Sequence, residues 1–118
     1  MIRHSGNTKV KRGMVFWYKP QKCNYKTSVQ QGIRPWLVVS NNICNSTSTI
    51  CNIVPITSGW KVELPTHVFT KLNGRNNIIL CEQMITVDQS QLQDYVCTVK
   101  KRTMDEVNKA LAIQFSLQ

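Results

Sequence analysis

The sequence predicts a mostly β protein: a small antiparallel barrel of five or six short strands with one helix at the C-terminal end. Two observations carry this. β-branched and aromatic residues come in short runs bounded by Gly, Pro, Asn and Ser, as in Met14-Val15-Phe16-Trp17-Tyr18 and Trp36-Leu37-Val38-Val39-Ser40. Helical spacing of apolar residues appears only near the end, at Met104, Val107, Leu111 and Phe115. With 118 residues the chain is expected to be one domain. Residues 1–8 are expected to form a flexible basic arm and residues 9–118 the folded unit.

Each element follows from local chemistry. Strand one covers residues 14–18 and stops at Lys19-Pro20. Residues 19–33 are polar, and a connection of that length is usually functional or mobile. The run 36–40 reads as a buried strand, and Asn41 to Thr49 as a turn-rich connection. Ile50 to Ile56 forms the next strand, where Pro55 suggests an edge or a bulge because it has no N–H for a ladder. Val62 to Phe69 alternates loosely, with Pro65 as an interruption. Asn73-Gly74 marks a hairpin turn. Ile78 to Cys81 is a buried strand, and Met84 to Val87 continues or follows it. Leu92 to Val99 holds a last strand after a helical turn at Ser90 to Gln93. Thr103-Met104-Asp105-Glu106 matches a capping box, with Thr103 as N-cap and both acids near the positive end of the helix dipole.

The charge narrows the functional classes. Fifteen Lys and Arg stand against six Asp and Glu, a net +9. No acid precedes Glu63, whereas Arg3, Lys9, Lys11, Arg12, Lys19, Lys22, Lys26, Arg34 and Lys61 all do. A field of one sign attracts polyanions, which points to nucleic acid without separating RNA from DNA. Cys23, Cys44, Cys51, Cys81 and Cys97 are odd in number, and no pair has C-x-x-C spacing. With only His4 and His67 to add, neither a metal cluster nor a cofactor is supported. Cys51, Cys81 and Cys97 read as small apolar residues of strands in a reducing cytosol. The first residues have no apolar core of a signal peptide, and no apolar run approaches the ~20 residues of a membrane span. A cytoplasmic protein with no membrane partner is expected.

Several segments, in order, resemble the MazF/PemK toxins. Lys11-Arg12-Gly13 before an aromatic strand is similar to the family's opening. Ser28-Val29-Gln30-Gln31-Gly32-Ile33-Arg34-Pro35 resembles its S-E-Q-x-G-x-R-P loop. Val54-Pro55-Ile56-Thr57-Ser58 resembles the segment ending in its active-site Thr. Leu64-Pro65-Thr66-His67-Val68 and Leu80-Cys81-Glu82-Gln83-Met84-Ile85-Thr86-Val87-Asp88 match later stretches, the second resembling L-x-E-Q-x-R-T-I-D. The likeness runs over roughly residues 9–117. It departs at Met14, Val29 and Ile85, where the family has an acid, a Glu and an Arg.

The resemblance implies a small SH3-like barrel of the CcdB/MazF type. It implies the toxin of a type II toxin–antitoxin system, a metal-independent endoribonuclease. The products would be a 2′,3′-cyclic phosphate and a 5′-hydroxyl, because RNA supplies its own 2′-oxygen nucleophile. Arg34 and Thr57 take the catalytic positions. Ser28, Gln30, Gln31, Ser58, Trp60, Lys26, Lys61, Glu82 and Gln83 are the expected RNA contacts, with Glu82 and Gln83 equally readable as buried structural hydrogen-bonders. Lys71 is a further generic phosphate contact, and Trp17 and His67 read as structural. Partners implied are single-stranded RNA, an acidic antitoxin and a second copy of the chain. Two other readings stay open: a CcdB-like toxin that binds DNA gyrase, which the C-terminal Phe115-Ser116-Leu117-Gln118 suits poorly, and an RNA-binding barrel without activity.

Overall fold

The computed structural model describes residues 9–59 and 62–117. The arm expected over residues 1–8 lies outside them. The described residues form seven strands: β1 (Met14–Tyr18), β2 (Arg34–Val38), β3 (Ile50–Thr57), β4 (His67–Leu72), β5 (Arg75–Leu80), β6 (Ile85–Asp88) and β7 (Tyr95–Thr98). Two α-helices, α1 (Asn42–Thr47) and α2 (Lys101–Gln114), and two 3-10 turns at Cys81–Gln83 and Gln89–Gln91 complete the chain. Every strand pairing is antiparallel, in the order β4-β5-β3-β2-β1-β7, with β6 also on β3. The result is a curled half-barrel.

β3 explains the curl. Its first half, Ile50 to Ile53, pairs with β6; its last two residues, Ile56 and Thr57, pair with β5. Pro55 falls between those two partners. The amide of Val39 donates to the Asn52 carbonyl, so Asn52 faces β2; alternation then turns the Pro55 nitrogen away from β2, into the gap. Pro55 therefore sits in a central strand rather than at an edge. The missing N–H costs no ladder bond because the strand changes neighbours there.

Alternation also divides the interior in two. Val15, Leu37, Val54, Ile56, Val68 and Ile79 face α2, which buries Val107 and Ala110 against them. Phe16, Trp36, Val38, Cys51, Ile53, Val87 and Leu92 form a second cluster on the other side. Fully burying side chains of this size stabilises by about 1.5–3 kcal/mol each. Met14 and Ile85, two of the departures from the family pattern, pack against this second cluster. At those positions an apolar side chain replaces a charge that burial would penalise.

Several expectations need correction. Asn41 to Thr49 is not irregular: it contains α1, capped by the Asn41 side chain accepting from the Cys44 amide at 2.8 Å. The last helix begins earlier than the capping box implied. Its N-cap is Lys100, without a side-chain cap bond, and no acid lies in its first turn. The Thr103 hydroxyl turns toward that of Thr70, 3.4 Å away, and Asp105 pairs with Lys101. Phe115 is the C-cap and stays half exposed, because the helix stops before it returns to the sheet. Cys81 is buried in a 3-10 turn rather than in a strand, and Cys97 is only half-buried. Trp17 is half-buried. The Asn73-Gly74 turn is as expected, both residues having positive φ, 52° and 79°.

Candidate functional site

β2 and β3 bring the two proposed catalytic residues together. Trp36 pairs with Pro55, Leu37 with Val54 and Val38 with Ile53. Continuing that register to the end of both strands sets Arg34 opposite Thr57. Partners across a ladder share a face. The same row extends both ways: Tyr18 of β1 pairs with Arg34, Thr57 pairs with Ile78 of β5, and Ile78 pairs with Phe69 of β4. Five strands thus align Tyr18, Arg34, Thr57, Ile78 and Phe69 in one transverse line.

The long loop before β2 fixes Arg34. Its Nε and Nη2 donate to the Gln31 carbonyl at 3.2 and 2.6 Å, and Nη1 donates to Oε1 of Gln30. Three of five guanidinium N–H groups are engaged, leaving one on each terminal nitrogen for a ligand. Partial burial pushes the Arg34 pKa below its ordinary value. Gly32, with φ of 76°, turns the loop into β2.

Thr57 ends β3 and is almost buried. Its Oγ1 accepts from the Gly59 amide at 3.2 Å. Its own proton has no acceptor among the described residues, so the hydroxyl is set to donate outward.

The remaining expected contacts divide by role. Gln83 clamps the loop: its Oε1 accepts from the Gln30 amide at 2.8 Å, and its Nε2 donates to the Ser28 carbonyl at 3.1 Å. Gln30 is buried with its carbonyl oxygen turned to Arg34, and the Gln31 side chain donates to the Val29 carbonyl and accepts from the Cys23 amide. Glu82 holds the base of β4, one carboxylate oxygen accepting from Thr66 at 3.0 Å and the other 2.9 Å from Nε2 of His67. Ser28, Lys26 and Ser58 are exposed. Trp60 and Lys61 lie outside the described residues.

Sequence reasoning gave no place beside Arg34 and Thr57 to Tyr18, Ile78 and Phe69, which strand register sets in the same row. It also gave Arg12 no role beyond charge. Arg12, just before β1, donates to the Val39 carbonyl through Nε at 2.8 Å and to Oδ1 of Asn108 through Nη2 at 2.6 Å, tying the end of β2 to α2. Among the described residues no group of three or more His, Cys, Asp or Glu is placed to hold a metal, and no helix is long and apolar enough to cross a membrane.

A curled antiparallel sheet with a C-terminal helix places the chain among MazF-fold proteins. Solved structures share the whole architecture. An endoribonuclease in complex with its cognate antitoxin from mycobacterial species superposes with a TM-score of 0.76 at 27% identity, covering 92% of this chain and 97% of that one. MazF from Deinococcus radiodurans gives a TM-score of 0.76 at 21% identity, over 94% and 100%. Residues 11–115 match the model of the PemK-like, MazF-like toxin of type II toxin–antitoxin systems, and the chain belongs to that family. Among its relatives, endoribonuclease EndoA of Bacillus subtilis is 39% identical over 95 residues, 76% of this chain and 82% of that protein. Endoribonuclease MazF of Staphylococcus saprophyticus is 32% identical over 95 residues, 76% and 79%.

Proposed function

We propose that this chain is the toxin of a type II toxin–antitoxin pair and cuts single-stranded RNA as a metal-independent endoribonuclease. The observation that carries the reading is that the β2–β3 register, continued past Trp36 and Pro55, sets Arg34 opposite Thr57 on a basic protein of this family. RNA brings its own nucleophile. The protein must orient the 2′-oxygen in line with the departing 5′-oxygen and stabilise the charge that develops on phosphorus. Arg34 presents one N–H from each terminal nitrogen toward the non-bridging oxygens. Thr57 donates a third hydrogen bond. The 2′-hydroxyl gives its proton to water as its oxygen attacks phosphorus, the bond to the 5′-oxygen breaks, and that oxygen takes a proton from water, so a 2′,3′-cyclic phosphate and a 5′-hydroxyl result.

A guanidinium stays protonated in proteins, so Arg34 serves as a clamp that hydrogen-bonds the phosphoryl oxygens rather than as a base. Ser28, Ser58, Trp60, Lys26 and Lys61 are the residues assigned to RNA around this centre. Gln30, Gln31 and Gln83 act mainly by holding it, and Glu82 by holding the base of β4.

The cytoplasm, where mRNA is, is the site of action. The partners are an acidic antitoxin that occupies the cationic cleft and a second copy of the chain. The direct test is incubation with a long single-stranded RNA in EDTA. Wild type is expected to produce fragments ending in 2′,3′-cyclic phosphate. Arg34→Ala and Thr57→Ala each lower the rate by roughly 10²–10³-fold, the usual effect of losing one donor to a developing oxyanion. Intact RNA with wild type, or cleavage indifferent to Arg34, defeats the reading.

A further inference from the structure

The geometry points to a nucleobase subsite on the β4–β5 hairpin, in which Phe69 stacks a base of the substrate strand and Asn76 reads its edge. The inference rests on the single-stranded RNA substrate proposed above and adds where one flanking nucleotide lies. The transverse row is its foundation. Thr57 pairs with Ile78, and Ile78 pairs with Phe69, so the Phe69 ring stands on the face that carries the Arg34–Thr57 pair. Neighbouring strands lie about 4.8 Å apart, which sets Phe69 about 10 Å from Thr57 along the row. That separation suits the base of a nucleotide next to a phosphate held at Thr57.

The surroundings match that occupant. Phe69 is 54% exposed, although large aromatic side chains in strands ordinarily find a core. Lys71 pairs with Asn76 one step along the same face, so an ammonium and an amide with no side-chain hydrogen bond among the described residues flank the ring. These side chains line an open cleft of about 620 Å³ whose other wall is Ser58 and Gly59, the residues directly after Thr57. The cleft therefore begins where the proposed reaction centre ends. An aromatic face accepts any base, a primary amide offers both donor and acceptor to a base edge, and a lysine meets the next phosphate. A purely apolar partner would leave Lys71 and Asn76 desolvated without compensation.

The probe is a single-stranded oligoribonucleotide methylated at every 2′-oxygen, which binds but cannot be cut. Fluorescence anisotropy is expected to show Phe69→Ala binding roughly 5- to 100-fold more weakly than wild type, the range for one lost base stack. Phe69→Trp is expected to restore binding. Mapping fragment ends from a long RNA is expected to show Asn76→Ala changing base preference at a single position beside the cut. Binding of Phe69→Ala within about two-fold of wild type, together with unchanged preference in Asn76→Ala, overturns the subsite. So does a Phe69→Ala protein that sediments as a smaller species and is not restored by Trp, which makes Phe69 a contact between chains. If wild type cleaves RNA in either case, the nuclease proposal survives; if it neither binds nor cleaves, both fail.

Discussion

The backbone amide of Gln30 donates to Oε1 of Gln83 over 2.8 Å, joining the loop before β2 to the turn after β5, fifty-three residues away. The same Gln83 side chain holds the Ser28 carbonyl through Nε2, and Gln30 in turn accepts from Arg34. The guanidinium is therefore placed by a glutamine that does not touch it. Gln83→Ala removes two hydrogen bonds, about 1–3 kcal/mol in all, and frees the loop. Single-turnover cleavage is expected to fall roughly 10- to 100-fold, because a misplaced clamp loses alignment. Binding of a 2′-methylated oligonucleotide is expected to change much less. Gln83→Glu keeps the acceptor and loses the donor, so it should lie between. Equal losses of binding and rate in Gln83→Ala would instead make Gln83 a direct RNA contact.

Glu82 offers a contrast with the helix surface. His67 has a side chain only 4% exposed and sits 2.9 Å from a Glu82 oxygen. Its Nδ1 is buried without a hydrogen-bond partner among the described residues. Glu82→Ala would leave Nε2 and the Thr66 hydroxyl unpaired as well. The expected loss is about 2–4 kcal/mol, several degrees in Tm. Asp105→Ala removes a Lys101 pair exposed at 90% and 53%, and should move stability by less than about 0.5 kcal/mol. Thermal melts of the two variants check this; similar melts would mean that the Glu82 network is held by solvent rather than by burial.

The buried thiols set the alkaline limit. Burial, with the nearby Asp88 and Glu82 charges adding to it, pushes Cys51 up to about 11 and Cys81 up to about 12, from an ordinary 9.0. Between pH 9 and those values the unfolded chain gives up protons that the folded chain keeps. Stability is thus full below about pH 9 and falls as pH rises through 11 to 12. Denaturation midpoints taken across that window should decline, and Cys51→Ala with Cys81→Ala should flatten the decline. Cys44 is exposed and Cys23 partly so; a thiol reagent at neutral pH should label these while Cys51 and Cys81 stay protected until unfolding.

The hairpin turn isolates a backbone effect. Gly74 has φ of 79°, and a Cβ there would meet nothing within 4 Å. Gly74→Ala therefore suffers only the penalty of a left-handed conformation, about 1–2 kcal/mol. Asn73, at φ 52°, already tolerates it. A urea midpoint lowered by that amount, with unchanged slope, is expected; no shift would show that the turn relaxes to another type.

What the sequence conveyed depended on how far the physics reaches along the chain. Strands such as Met14–Tyr18 and the Asn73-Gly74 turn were legible because alternation and positive φ are local preferences. α1 escaped because Asn42 to Thr47 buries only Asn45 and has no apolar stripe; its signal was the cap at Asn41. The start of α2 was misplaced because Thr103 satisfies the capping pattern, yet Lys100 adopts the extended cap backbone and Thr103 finds Thr70 instead. Arg34 and Thr57 were singled out through resemblance, and no local rule sets the ends of β2 and β3 side by side. The Gln83 clamp and the Phe69 row depend on contacts between distant segments, which neither periodicity nor composition encodes.

Arg34→Lys separates charge from shape. An ammonium keeps the positive charge, but it cannot reach the Gln31 carbonyl, the Gln30 amide oxygen and two phosphoryl oxygens together. If charge were enough, lysine would retain most of the activity. If the fixed fork is what stabilises the transition state, lysine should cleave nearly as slowly as alanine, roughly 10²-fold or more below wild type. Its affinity for a 2′-methylated oligonucleotide should stay near that of wild type, with the same salt dependence, because the number of phosphate-neutralising charges is unchanged. A lysine variant with near-normal cleavage would show that Arg34 acts as a point charge, and the pinned geometry of its loop would then carry no catalytic weight.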